Sequence, residues 1–153
     1  MSPLVVKKVG ETDLVVTRRF AAPPERVYAA HTDPVLIAQW MFGPDGWTMP
    51  ECISDPRPGG RIRFTWEKDG ESFSLNGEYV ELDPPHRIVH REAFESDPPM
   101  EPALITTMFR EDGGDTLMEM TIRYRDSNAR EAALATGMTE GMEMSYARLE
   151  TTL

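Results

Sequence analysis

Between Arg61 and Glu67 the chain alternates Ile62, Phe64 and Trp66 with Arg61, Arg63 and Thr65. That period of two predicts a strand with one apolar face. The same test predicts strands over Asp13–Phe20, Trp47–Ser54, Ser72–Leu82, Arg87–Phe94, Pro102–Arg110 and Thr116–Tyr124. Turn-forming residues separate them: Asp55-Pro-Arg-Pro-Gly-Gly60, Lys68-Asp-Gly-Glu71, Asp83-Pro84-Pro85 and Glu111-Asp-Gly-Gly-Asp115. The period then changes. Met138, Met142, Tyr146, Leu149 and Leu153 recur every three or four residues, the spacing of a one-faced helix over 138–153.

Two shorter helices follow the first strand. Pro24 suits the first turn of one running through Glu25–Ala30, and Asp33-Pro34 caps and opens another reaching about Trp40. Asn128 with Glu131 has the spacing of a capping box before a segment over 129–135. Gly137 is a kink point, and Gly141 lies inside the last helix, where glycine costs about 1 kcal/mol relative to alanine. A helix that keeps such residues needs its backbone near a sheet or a ligand. The order is β, α, α, six strands and a long α. Hairpin-linked strands form an antiparallel meander, and only the last helix, roughly 24 Å long, can cover one face of it. The expected fold is α+β, a curved antiparallel sheet around a long C-terminal helix, in one domain over 1–153.

These pieces resemble the helix-grip fold of the START-like superfamily, also called SRPBCC or Bet v 1-like. The resemblance rests on Phe20-Ala-Ala-Pro-Pro-Glu-Arg-Val-Tyr28, Asp33-Pro through Trp40, Asp55-Pro-Arg-Pro-Gly-Gly60, Gly77 through Ile88 and Thr136 through Leu149, in that order. Within the superfamily the chain is similar to single-domain relatives of the activator of heat-shock-protein-90 ATPase. The superfamily includes lipid carriers, hormone receptors, cyclases, aromatases and co-chaperone domains, so the resemblance implies a fold more narrowly than an activity.

Composition narrows the partners. With 26 acidic against 16 basic residues the formal charge is -10, which argues against nucleic acid or an anionic membrane surface. The single cysteine, Cys52, is read as a small buried hydrophobe and suits a reducing compartment. Neither a signal peptide nor a membrane span is visible, so a cytoplasmic protein is expected. His31, His86 and His90 are scattered and no Cys-x-x-Cys occurs, so no metal site is expected. Phosphate-binding glycine patterns are absent too, and no cofactor is expected.

Two sets of side chains carry candidate chemistry. If Asp83–Arg87 form the hairpin loop, Leu82 faces Ile88, Val80 faces His90 and Glu78 faces Glu92. Glu78, His90 and Glu92 then point into the cup as an acid–base set; a register displaced by one residue puts them in solvent. The second set is a pocket lining of Trp40, Phe42, Trp47, Phe64, Trp66, Met108, Met120, Met138, Gly141, Met142 and Tyr146, rich in adaptable thioethers and aromatic rings. Each of these also serves as ordinary core. The Phe42–Trp47 segment, with Gly43 and Gly46, is either a connector or the mouth of the cavity. Three functions stay open: binding of a small hydrophobic ligand, a cyclase- or aromatase-like reaction, and an interaction module for a chaperone or for a second copy of the chain as a homodimer.

Overall fold

In β2 (Asp13–Phe20) every second residue is shut away from solvent: Leu14, Val16 and Phe20 are wholly buried and Arg18 nearly so. That alternation gives the strand one inner face, and the computed structural model, which describes residues 4–153, repeats it across an eight-stranded antiparallel sheet. The other strands are β1 (Val5–Val9), β3 (Thr48–Ser54), β4 (Arg61–Lys68), β5 (Glu71–Asp83), β6 (Arg87–Phe94), β7 (Ala103–Asp112) and β8 (Asp115–Arg123). From β3 to β8 each strand pairs with the next, and β8 pairs with β2, giving the order β1-β2-β8-β7-β6-β5-β4-β3. α1 (Pro24–Thr32) and α2 (Pro34–Ile37) carry the chain from β2 to the far edge at β3. α3 (Ser127–Leu134) and α4 (Met138–Thr152) follow β8, and α4 lies on the inner face. This is the helix-grip arrangement expected from the strand and helix order.

α4 is held at several points. Met142, Tyr146, Leu149 and Leu153 belong to the larger core cluster, with Phe20, Trp40, Phe64 and Met118. Met138 belongs to a smaller one built on Leu14, Ile105 and Ile122, with Met120, Tyr124 and Leu134. Between these apolar anchors, the guanidinium of Arg18 on β2 reaches Glu150 at 3.0 Å and Glu143 at 3.4 Å. Trp40 is also pinned through its indole N–H, which donates to the Ala30 carbonyl at 2.9 Å, and its own carbonyl accepts from Arg148 at 3.1 Å.

Four local expectations are corrected. β1 is an added edge strand; Lys7, Lys8 and its mostly exposed surface give it no buried apolar face to read. α2 ends at Ile37, and the chain reaches Trp40 through turns. The cap of α3 is Asp126, whose side chain accepts from the Ala129 N–H at 2.8 Å, so Asn128 lies inside the helix. In the hairpin of β5 and β6, Leu82 does face Ile88, but a β-bulge follows, and Val80 has no partner.

Candidate functional site

The bulge decides which side chains enter the cup. Beyond it Tyr79 pairs with His90, Glu78 with Arg91 and Gly77 with Glu92. One extra residue on one strand exchanges the two faces. Tyr79 is therefore buried, Val80 is exposed, and Glu78 stands on the outer face in solvent. The expected facing of Glu78 with Glu92 does not occur. His90 and Glu92 keep the inner face of β6, two residues apart, with His90 Nε2 3.0 Å from Glu92 Oε1. Their side chains are 17% and 25% exposed. Gly77, opposite Glu92, is needed by backbone approach, because a Cβ there would collide with the Arg91 carbonyl oxygen.

A second histidine faces the same interior from α1. His31 Nδ1 donates to the Val27 carbonyl at 2.7 Å, since a carbonyl oxygen can only accept. The ring is walled by aromatic neighbours, with centroids 5.0 Å from Phe109 and 5.1 Å from Trp40. Burial holds its pKa down at about 4, partly offset by the bond to Val27 and lowered further by the nearby His90. The imidazole is thus neutral near pH 7, and Nε2 carries a lone pair. Tyr28, one turn earlier on α1, packs its ring on Phe109, and burial pushes its hydroxyl up to about 12.

Tyr79 is anchored through Ser54, whose hydroxyl donates to the Thr32 carbonyl at 2.6 Å and meets the Tyr79 hydroxyl at 2.7 Å. With the serine proton committed, the tyrosine is the donor of that second bond. His31 Nε2, His90 Nδ1 and the Tyr28 hydroxyl have no such partner in the protein, although all three atoms are buried. Burial is also the main cause that raises the Tyr146 and Tyr124 hydroxyls, with the Glu92 carboxylate adding to it. Glu92 therefore acts on tyrosines from both α4 and the end of β8.

The expected pocket lining divides into four groups. Trp40, Phe64 and Tyr146 are buried core residues, with Trp40 stacked on Tyr146 at 5.6 Å. Met120, Met138 and Met142 are half-buried and pack against the two clusters on the inner side. Trp47 and Trp66 form an aromatic rim with Phe73 and Phe94; Trp66 stacks on Phe73 at 5.2 Å, and Trp47 meets Phe73 edge-on at 5.3 Å. Phe42 lies under the Arg148 guanidinium, 3.9 Å from its ring centre. Met108 is the exception: it is 38% exposed and lies out of phase with the inward residues Ile105, Thr107 and Phe109 of β7. A side chain on the outer face cannot line the interior.

Both glycines of the last helix also take definite roles. Gly137 sits at φ +81, a left-handed conformation that favours glycine, at the junction of α3 and α4. A Cβ at Gly141 would meet nothing within 4 Å, so no close contact requires that residue to be glycine. A solvent-open groove of about 480 Å³ lies elsewhere, between Asn76, Phe94, Glu95, Met100 and Pro102.

Sequence reasoning missed His31, Tyr28, Tyr79 and Ser54 as inward polar groups. Val27, Tyr28 and His31 share one face of α1 by spacing, which was the available signal. Ser54 and Tyr79 had none, because their meeting depends on the bulge.

Among curated proteins none matches the chain significantly. Solved structures do. A crystal structure of a Rhodobacter sphaeroides protein is 34% identical with a TM-score of 0.91, over 98% of this chain and 97% of that one. A Mycobacterium smegmatis protein is 25% identical with a TM-score of 0.87, over 99% and 97%. A Staphylococcus epidermidis protein solved in solution shares the fold at 24% identity and a TM-score of 0.82, over 95% and 91%. No helix among the described residues is long and apolar enough to cross a membrane. The family model described as activator of Hsp90 ATPase homolog 1-like protein matches residues 21–153. The chain belongs to that family, within the helix-grip superfamily.

Proposed function

We propose that the chain binds a small hydrophobic molecule between the inner face of the sheet and α4. The observation that carries this reading is the division of the interior. Apolar side chains form two clusters, one under Tyr146 and Leu149 and the other at Met138. A domain ordinarily has one contiguous core with smaller satellite clusters, and here what separates the smaller cluster from the main one is a polar strip on the inner face. His90 and Glu92 stand on the inner face of β6, paired across to Tyr79 and Gly77 on one side and to Ile105 and Ala103 on the other. A ligand covering this polar strip would join the two clusters. Thermal unfolding with a panel of hydrophobic compounds tests it: a bound ligand raises the melting temperature by linkage. Gly141→Leu should fold, since open space receives the side chain, and should weaken that shift by occupying room beside the ligand. A panel that leaves the melting temperature unmoved would argue for an interior filled by its own side chains.

A second reading has its own support in the 3.0 Å contact of His90 and Glu92. A histidine held by a carboxylate can take and return a proton, as cyclase- or aromatase-like chemistry requires. Glu78, in solvent opposite Arg91, has no part in it. With a substrate in hand, Glu92→Gln and His90→Ala should each abolish turnover while leaving binding within a few-fold; unchanged turnover would limit the pair to binding.

A further inference from the structure

Three buried polar atoms on the inner side, His31 Nε2, His90 Nδ1 and the Tyr28 hydroxyl, are unpaired, which constrains the chemistry of what enters. His31 Nδ1 is committed to the Val27 carbonyl, so Nε2 of the neutral ring can only accept. His90 Nε2 is committed to the Glu92 carboxylate, and its Nδ1 is buried with no partner in the protein. The Tyr28 hydroxyl, 8% exposed as a residue, is buried and unpaired on the same face of α1 as His31. Buried polar atoms left without partners destabilise the chain, and a ligand that pairs with them gains by it. A hydroxyl is a small, neutral group that both donates to a nitrogen such as His31 Nε2 and accepts from such a phenol.

Charge excludes another common class. Glu92 is a carboxylate on the inner face of the sheet, close enough to raise the Tyr146 hydroxyl on α4. Arg18, the cation beneath α4, is already met by Glu143 and Glu150. Arg148 is turned to the Trp40 carbonyl and the Phe42 ring. An anionic ligand such as a fatty acid would bring a further negative charge to Glu92 with no uncommitted cation to meet it.

We infer that the ligand of this cavity is a neutral, largely apolar molecule bearing a hydroxyl, with the O–H directed at His31 Nε2, and that carboxylic acids are rejected. This rests on the cavity-binding reading above and goes beyond it in naming the recognised group. The probes are four compounds of one ring system: 2-naphthol, 2-methoxynaphthalene, naphthalene and 2-naphthoic acid, titrated at pH 7.5 against the full chain. The expected result is that 2-naphthol binds about tenfold or more tighter than the methyl ether, which keeps the oxygen but cannot donate. The acid should bind more weakly than either. In His31→Phe the advantage of the naphthol over its ether should shrink several-fold, and cooperative unfolding of that variant shows that it is folded.

Equal affinity for 2-naphthol and 2-methoxynaphthalene would overturn the inference while leaving cavity binding intact. Tightest binding by 2-naphthoic acid would overturn it as well. If none of the four binds the wild-type chain, the cavity-binding reading itself falls and takes the inference with it. The comparison among compounds on the wild-type chain needs no variant, so a misfolded substitution cannot protect the idea.

Discussion

Arg18 on β2 and Glu150 on α4 meet at 3.0 Å across 132 residues of sequence, with the arginine side chain only 2% exposed and the glutamate 29% exposed. The burial is lopsided, and so should be the cost of breaking the pair. Arg18→Met leaves Glu143 and Glu150 partly in solvent, and its alkyl chain still covers Phe20, so about 1 kcal/mol is expected. The double variant Glu143→Gln with Glu150→Gln strands a buried guanidinium and should cost about 3 kcal/mol. Urea unfolding of the two at pH 7 gives the comparison. Equal costs would mean that the unequal burial of the two partners does not set the cost of breaking the pair.

His31 makes stability depend on pH. Its ordinary pKa is 6.5 and burial lowers it to about 4 in the folded chain, so between those values the unfolded chain binds the extra proton. Stability from this group is therefore complete above about pH 6.5 and falls as the pH drops toward 4, by at most about 1.4 kcal/mol per unit. Carboxylates held down by arginines, such as Asp13 beside Arg123, lose their contribution only at lower pH, below their ordinary range. Urea midpoints at pH 7, 6 and 5 should decline in the wild type and flatten in His31→Phe. A wild-type midpoint that stays level down to pH 5 would place the ring in water.

How much of this was legible in the sequence depends on how local the cause is. The period-two runs and the Asp83-Pro84-Pro85 turn placed β5 and β6 to within a residue, and the pairing of Leu82 with Ile88 next to that turn was read correctly. Two residues further on, the bulge at Val80 cancelled the count. Tyr79 and Val80 are both good strand residues, so nothing local says which is skipped; the choice is made by Ser54 and by Gly59 and Gly60, which bond the Tyr79 backbone at 2.8 and 2.9 Å. The acid–base set was thus half legible: His90 and Glu92 share a face by spacing alone, while Glu78 depended on register. His31 is not legible in the sequence, because its ring is made special by Phe109 and Trp40, and those contacts form only when α1 meets the sheet.

The two glycines around the start of α4 should respond in opposite directions. At Gly137, φ is +81, and alanine there is strained by about 1 kcal/mol. At Gly141 the site is helical with open space around a Cβ, so alanine should stabilise by up to about 1 kcal/mol. Thermal unfolding of the two single variants decides it. A Gly141→Ala that destabilises would reveal a packing contact on that side of the helix.

The bulge can be tested without reference to any ligand. Val80 is 36% exposed and unpaired, whereas Tyr79 beside it is 3% exposed and bonded to Ser54. Val80→Lys should therefore change stability by no more than about 0.5 kcal/mol, as a surface substitution does. Tyr79→Ala removes a buried ring and should cost about 3–5 kcal/mol, in the range of other aromatic truncations. The opposite order, with Val80→Lys unfolding the chain and Tyr79→Ala tolerated, would mean a regular hairpin. In that register Glu78 would return to the inner face beside His90 and Glu92, and the three-residue proton-transfer set would have to be taken up again.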